Sequence, residues 1–166
     1  MKNEIITIII ILIIASIFGC LDTAQPKNDS KVYGSDYVNF QMPTGWEVHP
    51  MPGDGTVIWM KEYPRIRVIE FNSKEKFDLS YNRALNIDNG TYTIIKVNET
   101  VNGIEVKIVK TTHANTGDVQ DEYFFEKNNK YYHLIGWDFT GWDSVKQVKS
   151  RKKIDAAVNT IVTTIT

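Results

Sequence analysis

YTIIKVNETVNGIEVKIVKTTHANTGDVQDEYFFEKNNKYYHLIGWDF, residues 92–139, is the stretch whose reading decides the fold. Three turn signals divide it. Asn102-Gly103 supplies the two positive-φ positions of a type I′ turn, the strongest short hairpin signal. Asn115-Thr116-Gly117-Asp118 and Asn128-Asn129 turn the chain again. Between them lie runs rich in β-branched and aromatic residues: Tyr92–Val97, Ile104–Thr112, Val119–Lys127 and Lys130–Phe139. The spacing predicts four strands in an antiparallel meander.

Upstream, Tyr37–Met42 alternates and stops at Pro43, and Trp46-Glu47-Val48 resumes after Thr44-Gly45. His49–Gly55 reads as a loop, because its prolines and glycines break any ladder. Thr56–Lys61 and Arg65–Asn72 read as strands around Tyr63-Pro64. The period then changes: Phe77, Tyr81, Ala84 and Leu85 share one face of a helix, with Ser73 or Asp78 as its cap and Asn89-Gly90 as its end. Downstream, Ile154, Val158, Ile161, Val162 and Ile165 predict a second helix. Lys152 and Lys153 are expected near its start, against the macrodipole. Hairpin strands with one helix in the middle and one at the end give an α+β class: a twisted, mainly antiparallel sheet flanked by helices. Aromatic residues at 11% supply enough bulk for a dry core, with Trp46, Trp59 and Trp137 expected inside it.

The chain opens differently. Ile5–Gly19 is apolar except for Thr7 and Ser16, and it ends in Ile17-Phe18-Gly19-Cys20, whose cysteine is the only one in 166 residues. A membrane span needs roughly 20 apolar residues and a secretory h-region about 7–15, so this run reads as an export signal. The segment Ile17–Cys20 resembles the lipobox of prokaryotic lipoproteins. That resemblance implies a diacylglyceryl group on the Cys20 thiol and cleavage just before it; the alternative is an uncleaved N-terminal helix. The division expected is a signal peptide over 1–19, a lipidated Cys20 and polar tether over 20–36, and one domain over 37–166. Either way the chain is expected at the cell membrane, facing outside the cytoplasm. With one cysteine, no intrachain disulfide and no cysteine-based zinc cluster can form. Net charge is −1, which gives no general attraction for nucleic acid. Sequons at Asn28, Asn89 and Asn98 are about as many as chance supplies.

Phe40-Gln41-Met42-Pro43-Thr44-Gly45-Trp46-Glu47-Val48 resembles the opening of PsbP-like domains, where Phe, Pro, Trp and Val recur at this spacing. Val101-Asn102-Gly103-Ile104 resembles their Ile-Asn-Gly hairpin, and Asn129–Leu134 resembles a later strand. An Ile/Val-rich terminal helix follows in both. The likeness spans roughly residues 33–165. The family takes in photosystem PsbP, the Ran-binding Mog protein and many prokaryotic lipoproteins. It implies an α/β/α sandwich and an accessory or binding role, with no shared catalytic residues to carry over. Fold alone does not fix function.

Motif by motif, enzyme chemistry finds little support. There is no G-x-S-x-G elbow, no H-E-x-x-H, no P-loop and no G-x-G-x-x-G. No cofactor and no metal site are expected. His49 and Asp54 share the Pro/Gly loop and are candidates for a ligand. Gly136-Trp137-Asp138 and Gly141-Trp142-Asp143 repeat five residues apart, and Trp137, Asp138, Trp142 and Asp143 are candidates for a recognition surface. The plainer reading buries Trp137 and makes Asp143 a helix cap. His133 reads as a partly buried strand histidine. Asp118, Asp121, Glu122 and Glu126 read as a surface edge. Lys146, Lys149, Arg151, Lys152 and Lys153 read as a solvated helix face, with anionic lipid heads as the alternative. Together these point to a lipid-anchored binding or accessory domain whose partner is the membrane and an envelope protein or small ligand. An envelope hydrolase and an assembly factor are the alternatives.

Overall fold

The computed structural model describes residues 31–34, 38–49, 56–59, 63–87 and 90–166. The leader, Cys20, Asp54 and the sequons at Asn28 and Asn89 lie outside the described residues. In chain order the elements are β1 (Val32–Gly34), β2 (Asn39–Gln41), β3 (Glu47–His49), β4 (Thr56–Trp59), β5 (Arg65–Phe71), α1 (Lys74–Leu85), β6 (Tyr92–Val101), β7 (Ile104–His113), β8 (Val119–Lys127), β9 (Lys130–Asp138) and α2 (Ser144–Thr164).

The meander forms as its turns dictate. Asn102 and Gly103 sit at φ 49° and 81°, and Asn128 and Asn129 at φ 54° and 61°. Those left-handed values are cheap for Asn and Gly and costly for other residues. Tight turns fix the register: Val101 pairs with Ile104, and Lys127 with Lys130. The main sheet runs β3-β4-β5-β9-β8-β7-β6, every neighbour antiparallel. β5 pairs with the last strand of the meander, so β9 and β8 lie at the sheet's centre.

Strand alternation sends successive side chains to opposite faces. Ile66, Val68, Val106, Ile108, Tyr123, Phe125, Tyr132 and Leu134 share one face, where Ile154, Val158, Ile161 and Val162 of α2 cover them. Val109 and Phe124 point the other way, into Phe77 and Ala84 of α1. Each fully buried Ile or Phe contributes roughly 1.5–3 kcal/mol. Two helices on opposite faces of one antiparallel sheet make the α/β/α sandwich that the resemblance implies.

Several expectations need correction. The boundary at 37 falls too late: Val32–Gly34 pairs with β2, and Met42 N–H donates to the Lys31 carbonyl. A three-residue strand carries too little periodic signal to stand out from a polar tether. α1 is capped by Ser73, whose hydroxyl accepts from Lys76 N–H, and it ends at Leu85 rather than at Asn89-Gly90. α2 starts at Ser144, so Lys152 and Lys153 lie mid-helix, clear of the macrodipole's positive end. Asp121 and Glu122 are not at a surface edge. β8 lies between β7 and β9, and both side chains are buried. Trp46 is buried as expected, Trp137 only half so, and the side chain of Trp59 is outside the described set.

Candidate functional site

The repeated Gly-Trp-Asp string is built for backbone approach before anything else. Gly136 lies under Ile154, whose Cγ2 occupies the place of any added Cβ. Gly141 has φ 60° and meets Gly117, at φ 74°; a Cβ on Gly117 would come within 2.6 Å of the Gly141 carbonyl group. Around that crossing, Thr140 Oγ1 and Gln147 Nε2 both donate to the Gly117 carbonyl, at 2.9 and 2.7 Å. Gly141 N–H donates to Asp118 Oδ1. Asp118 is held below the usual carboxylate range, first by its link to the Thr116 side chain and then by Gly141 N–H. The β7–β8 turn is thereby tied to the β9–α2 connection, and α2 starts from a fixed point. Asp143 caps it, accepting from Lys146 N–H at 3.0 Å.

The four aromatic and acidic candidates are therefore divided. Trp137 and Asp138 are strand neighbours and point to opposite faces. Asp143 is engaged as a cap. Trp142 is 65% exposed. His49 closes β3, its side chain outside the described set, and Asp54 lies beyond it.

Asp138 does open onto a cleft. It is buried, and among the described residues its carboxylate has no hydrogen-bond or ion-pair partner. It lines a cleft of about 250 Å³ with Tyr63, Phe139, Lys146, Lys149, Ser150 and Lys153. Ser150 Oγ is buried there without a hydrogen bond. The Tyr63 and Phe139 rings meet edge to face at 5.0 Å. A buried polar atom left unpaired costs about 1–3 kcal/mol, so Ser150 Oγ marks a place where an outside group is favoured, beside the Asp138 carboxylate that faces the cleft. The outer side of α2 continues from this mouth as an open face along Val145, Val148, Lys152 and Ala156.

Deeper under α2, Asp121 is fully buried. Arg151 Nη2 lies 3.3 Å from its Oδ1 and also donates to the Thr111 carbonyl at 2.6 Å. Lys110 pairs with Asp155, which accepts from Tyr123 Oη. Burial pushes the Asp121 carboxyl up to about 6, against the pull of Arg151 and Lys110. Burial also pushes the Tyr123 hydroxyl up, helped by Asp121 and Asp155. With Ile154 packed on Gly136 beside it, this cluster clamps helix to sheet.

On the opposite face a hydroxyl, an imidazole and a carboxylate line up. Ser80 Oγ lies 3.1 Å from His133 Nδ1, and His133 Nε2 lies 2.7 Å from Glu122 Oε2. Gln120 holds Glu122 Oε1 at 2.9 Å. An ionised carboxylate only accepts, so Nε2–H donates to Glu122, and in the neutral ring Nδ1 is then the acceptor for the Ser80 hydroxyl. His133 is 4% exposed and stacks between Phe124 and Phe71. Acyl transfer needs free backbone donors near the nucleophile. Ser80 lies mid-helix in α1, where the N–H groups are spent on the helix ladder. The chain of bonds satisfies a buried histidine and joins α1 to the sheet. Among the described residues no group of three or more His, Cys, Asp or Glu is placed to hold a metal ion. His113 Nδ1 accepts from Asn115 and Thr116 N–H in its turn.

Neither a protein-family profile nor a curated protein matches the sequence. Solved structures do. The solution structure of cyanobacterial PsbP (CyanoP) from Synechocystis sp. PCC 6803 superposes with a TM-score of 0.52 at 11% identity, over 78% of this chain and 89% of that one. The chain has a PsbP-like fold. A crystal structure from Bacteroides thetaiotaomicron VPI-5482 lies at a TM-score of 0.49 and 10% identity, over 82% of this chain and 48% of that one, too distant to argue from.

Of the residues that line this cleft, the sequence singled out Asp138 and the lysines, but not Tyr63, Phe139 or Ser150. Ser150 has no motif, and its burial depends on which turn of α2 meets β9. His133 reads from the sequence as a partly buried strand histidine and is buried, whereas Asp121 and Glu122 read as a surface edge and lie inside, because β8 has a neighbour on each side and a helix over each face.

Proposed function

We propose that this chain is a lipid-anchored extracytoplasmic protein whose PsbP-like domain serves as a non-enzymatic binding or accessory module at the cell envelope. The observation that carries the binding role is the cleft at the β9–α2 junction, where the Asp138 carboxylate faces the opening and Ser150 Oγ is buried without a hydrogen bond, beside Lys149 and Lys153. The address rests on the leader and Cys20. Two lipid chains anchor stably where one does not.

Mass spectrometry of the membrane-extracted N-terminus tests the address: a lipid-modified Cys20 as first residue is expected, and Met1 with a bare thiol counts against it. Crosslinking from the cleft mouth, with thermal-shift screening of small zwitterions, polyols and peptides, tests the role. Recovery of neither an envelope partner nor a stabilising ligand removes the binding reading.

A hydrolase is the second reading, favoured only by the Ser80–His133–Glu122 alignment. Its test is labelling by a fluorophosphonate probe. No Ser80 adduct is expected, and a stoichiometric one reverses the assignment.

A further inference from the structure

A helix on the outside of a domain ordinarily turns a polar side to water. Over its first three turns α2 instead mixes exposed valines with lysines on that side. Val145, Val148, Lys149, Lys152, Lys153 and Ala156 recur at three- and four-residue intervals, on the side opposite Ile154 and Ile161. Val145 is 75% exposed, and Phe139 and Trp142, in the connection just before the helix, also have more than half their surface in water. No carboxylate among the described residues pairs with Lys149, Lys152 or Lys153. Lys146 Nζ is bonded to the Phe139 carbonyl, which draws that lysine to the same edge. The C-terminal half of the same side changes character, to Asn159, Thr160 and Thr163.

We infer that this ridge docks on an anionic phospholipid surface, with Trp142, Val145 and Val148 at the acyl boundary and the lysines among the phosphates. Three features favour lipid over a protein partner. Lysine is depleted from the cores of protein–protein interfaces, whereas here lysines interleave with the apolar side chains. Lys stems reach from an apolar contact to a charged plane, and indole rings favour the headgroup level. The ridge is a convex helix side, which a plane of headgroups accommodates without a complementary groove. Each lysine near such a surface raises the bound population about fivefold.

The inference rests on the anchored reading, because a tether converts a weak contact into a local one. The full chain, reconstituted into vesicles of phosphatidylcholine alone or mixed with phosphatidylglycerol, is pulsed with acetic anhydride and mapped by peptide mass spectrometry. Lys149, Lys152 and Lys153 are expected to be acetylated at least about fivefold more slowly in the anionic vesicles. The exposed Lys76 and Lys96, on other elements, serve as unchanged references. High salt is expected to abolish the protection, and Val145→Ser with Trp142→Ser to reduce it while the circular dichroism stays unchanged.

Equal acetylation in both vesicle types, with the chain bound and Cys20 lipidated, overturns the docking face and leaves the anchor standing. Protection that appears only in native membranes, and vanishes when their proteins are digested, overturns it in favour of an acidic protein partner. Flotation with anionic vesicles despite an unmodified Cys20 supports the face and removes the anchor. Flotation with neither removes both.

Discussion

Gly136 of β9 lies directly beneath Ile154 of α2, so close that Ile154 Cγ2 fills the space a Cβ would need. Both residues belong to the layer between sheet and helix, and the contact sets how near α2 can approach. Gly136→Ala is expected to cost about 1–3 kcal/mol, the range for overpacking a dense core. Ile154→Ala alone leaves a cavity and costs about 2–5 kcal/mol. The double variant is expected to lose clearly less than the sum, because each change relieves the other. Urea denaturation of the four proteins measures the coupling; strict additivity would show that the two do not compete for one volume.

Asp121 gives the fold a distinctive pH dependence. Its folded pKa is about 6, above the 3.8 of the free side chain, because burial disfavours the charge. A raised carboxyl makes the native state the better proton binder. The penalty is therefore absent below about pH 4, grows as pH rises through 6, and then levels off. Two units correspond to about 3 kcal/mol. Asp121→Asn does not titrate, so its stability relative to the parent is expected to rise by roughly that amount between pH 4 and pH 7. Denaturation curves at both values decide it; a constant difference would place the carboxyl's titration outside this window.

Arg151 completes the clamp from the helix side, through Asp121 Oδ1 and the Thr111 carbonyl. Removing one partner of a buried ion pair leaves the other charge stranded, at about 3–5 kcal/mol. Arg151→Met is expected to cost that much at pH 7 and markedly less at pH 4, where Asp121 is neutral. Thermal denaturation across pH reads this; a loss of the same size at both pH values would mean that Arg151 acts through packing alone.

His133 and Glu122 form a unit. Glu122→Leu leaves the imidazole without its acceptor and is expected to cost about 2–3 kcal/mol, while Ser80→Ala, at a half-buried position, costs about 1. The pair Glu122→Leu with His133→Leu is expected to cost less than its parts added together. Chemical denaturation of the set provides the check, and a Ser80→Ala loss equal to that of Glu122→Leu would contradict the ranking.

The two halves of Trp142-Asp143 are expected to separate cleanly. Asp143→Ala removes the cap of α2 and costs about 1 kcal/mol. Trp142→Ala touches an exposed ring and shifts stability by less than about 0.5 kcal/mol. Thermal melts of both variants distinguish a structural aspartate from an available indole; a large Trp142 loss would place its ring in the packing after all.

What the residues determined by themselves was local. Asn102-Gly103 and Asn128-Asn129 favour left-handed backbone, so the hairpins were readable without a partner in view. The 3.6-residue recurrence of Ile154, Val158, Ile161 and Val162 likewise announced a helix with one buried side. Asp138 was visible as a candidate because it repeats with Asp143. Tertiary structure decided the rest. Whether Asp121 sits in water or in the core depends on a helix that begins only at Ser144. Whether Gly136 and Gly141 are idle turns or obligatory gaps depends on Ile154 and Gly117. Whether Asp138 and Ser150 meet at one mouth depends on the depth to which α2 settles. Those properties belong to distances between segments, and a short-range pattern of polarity carries no measure of them.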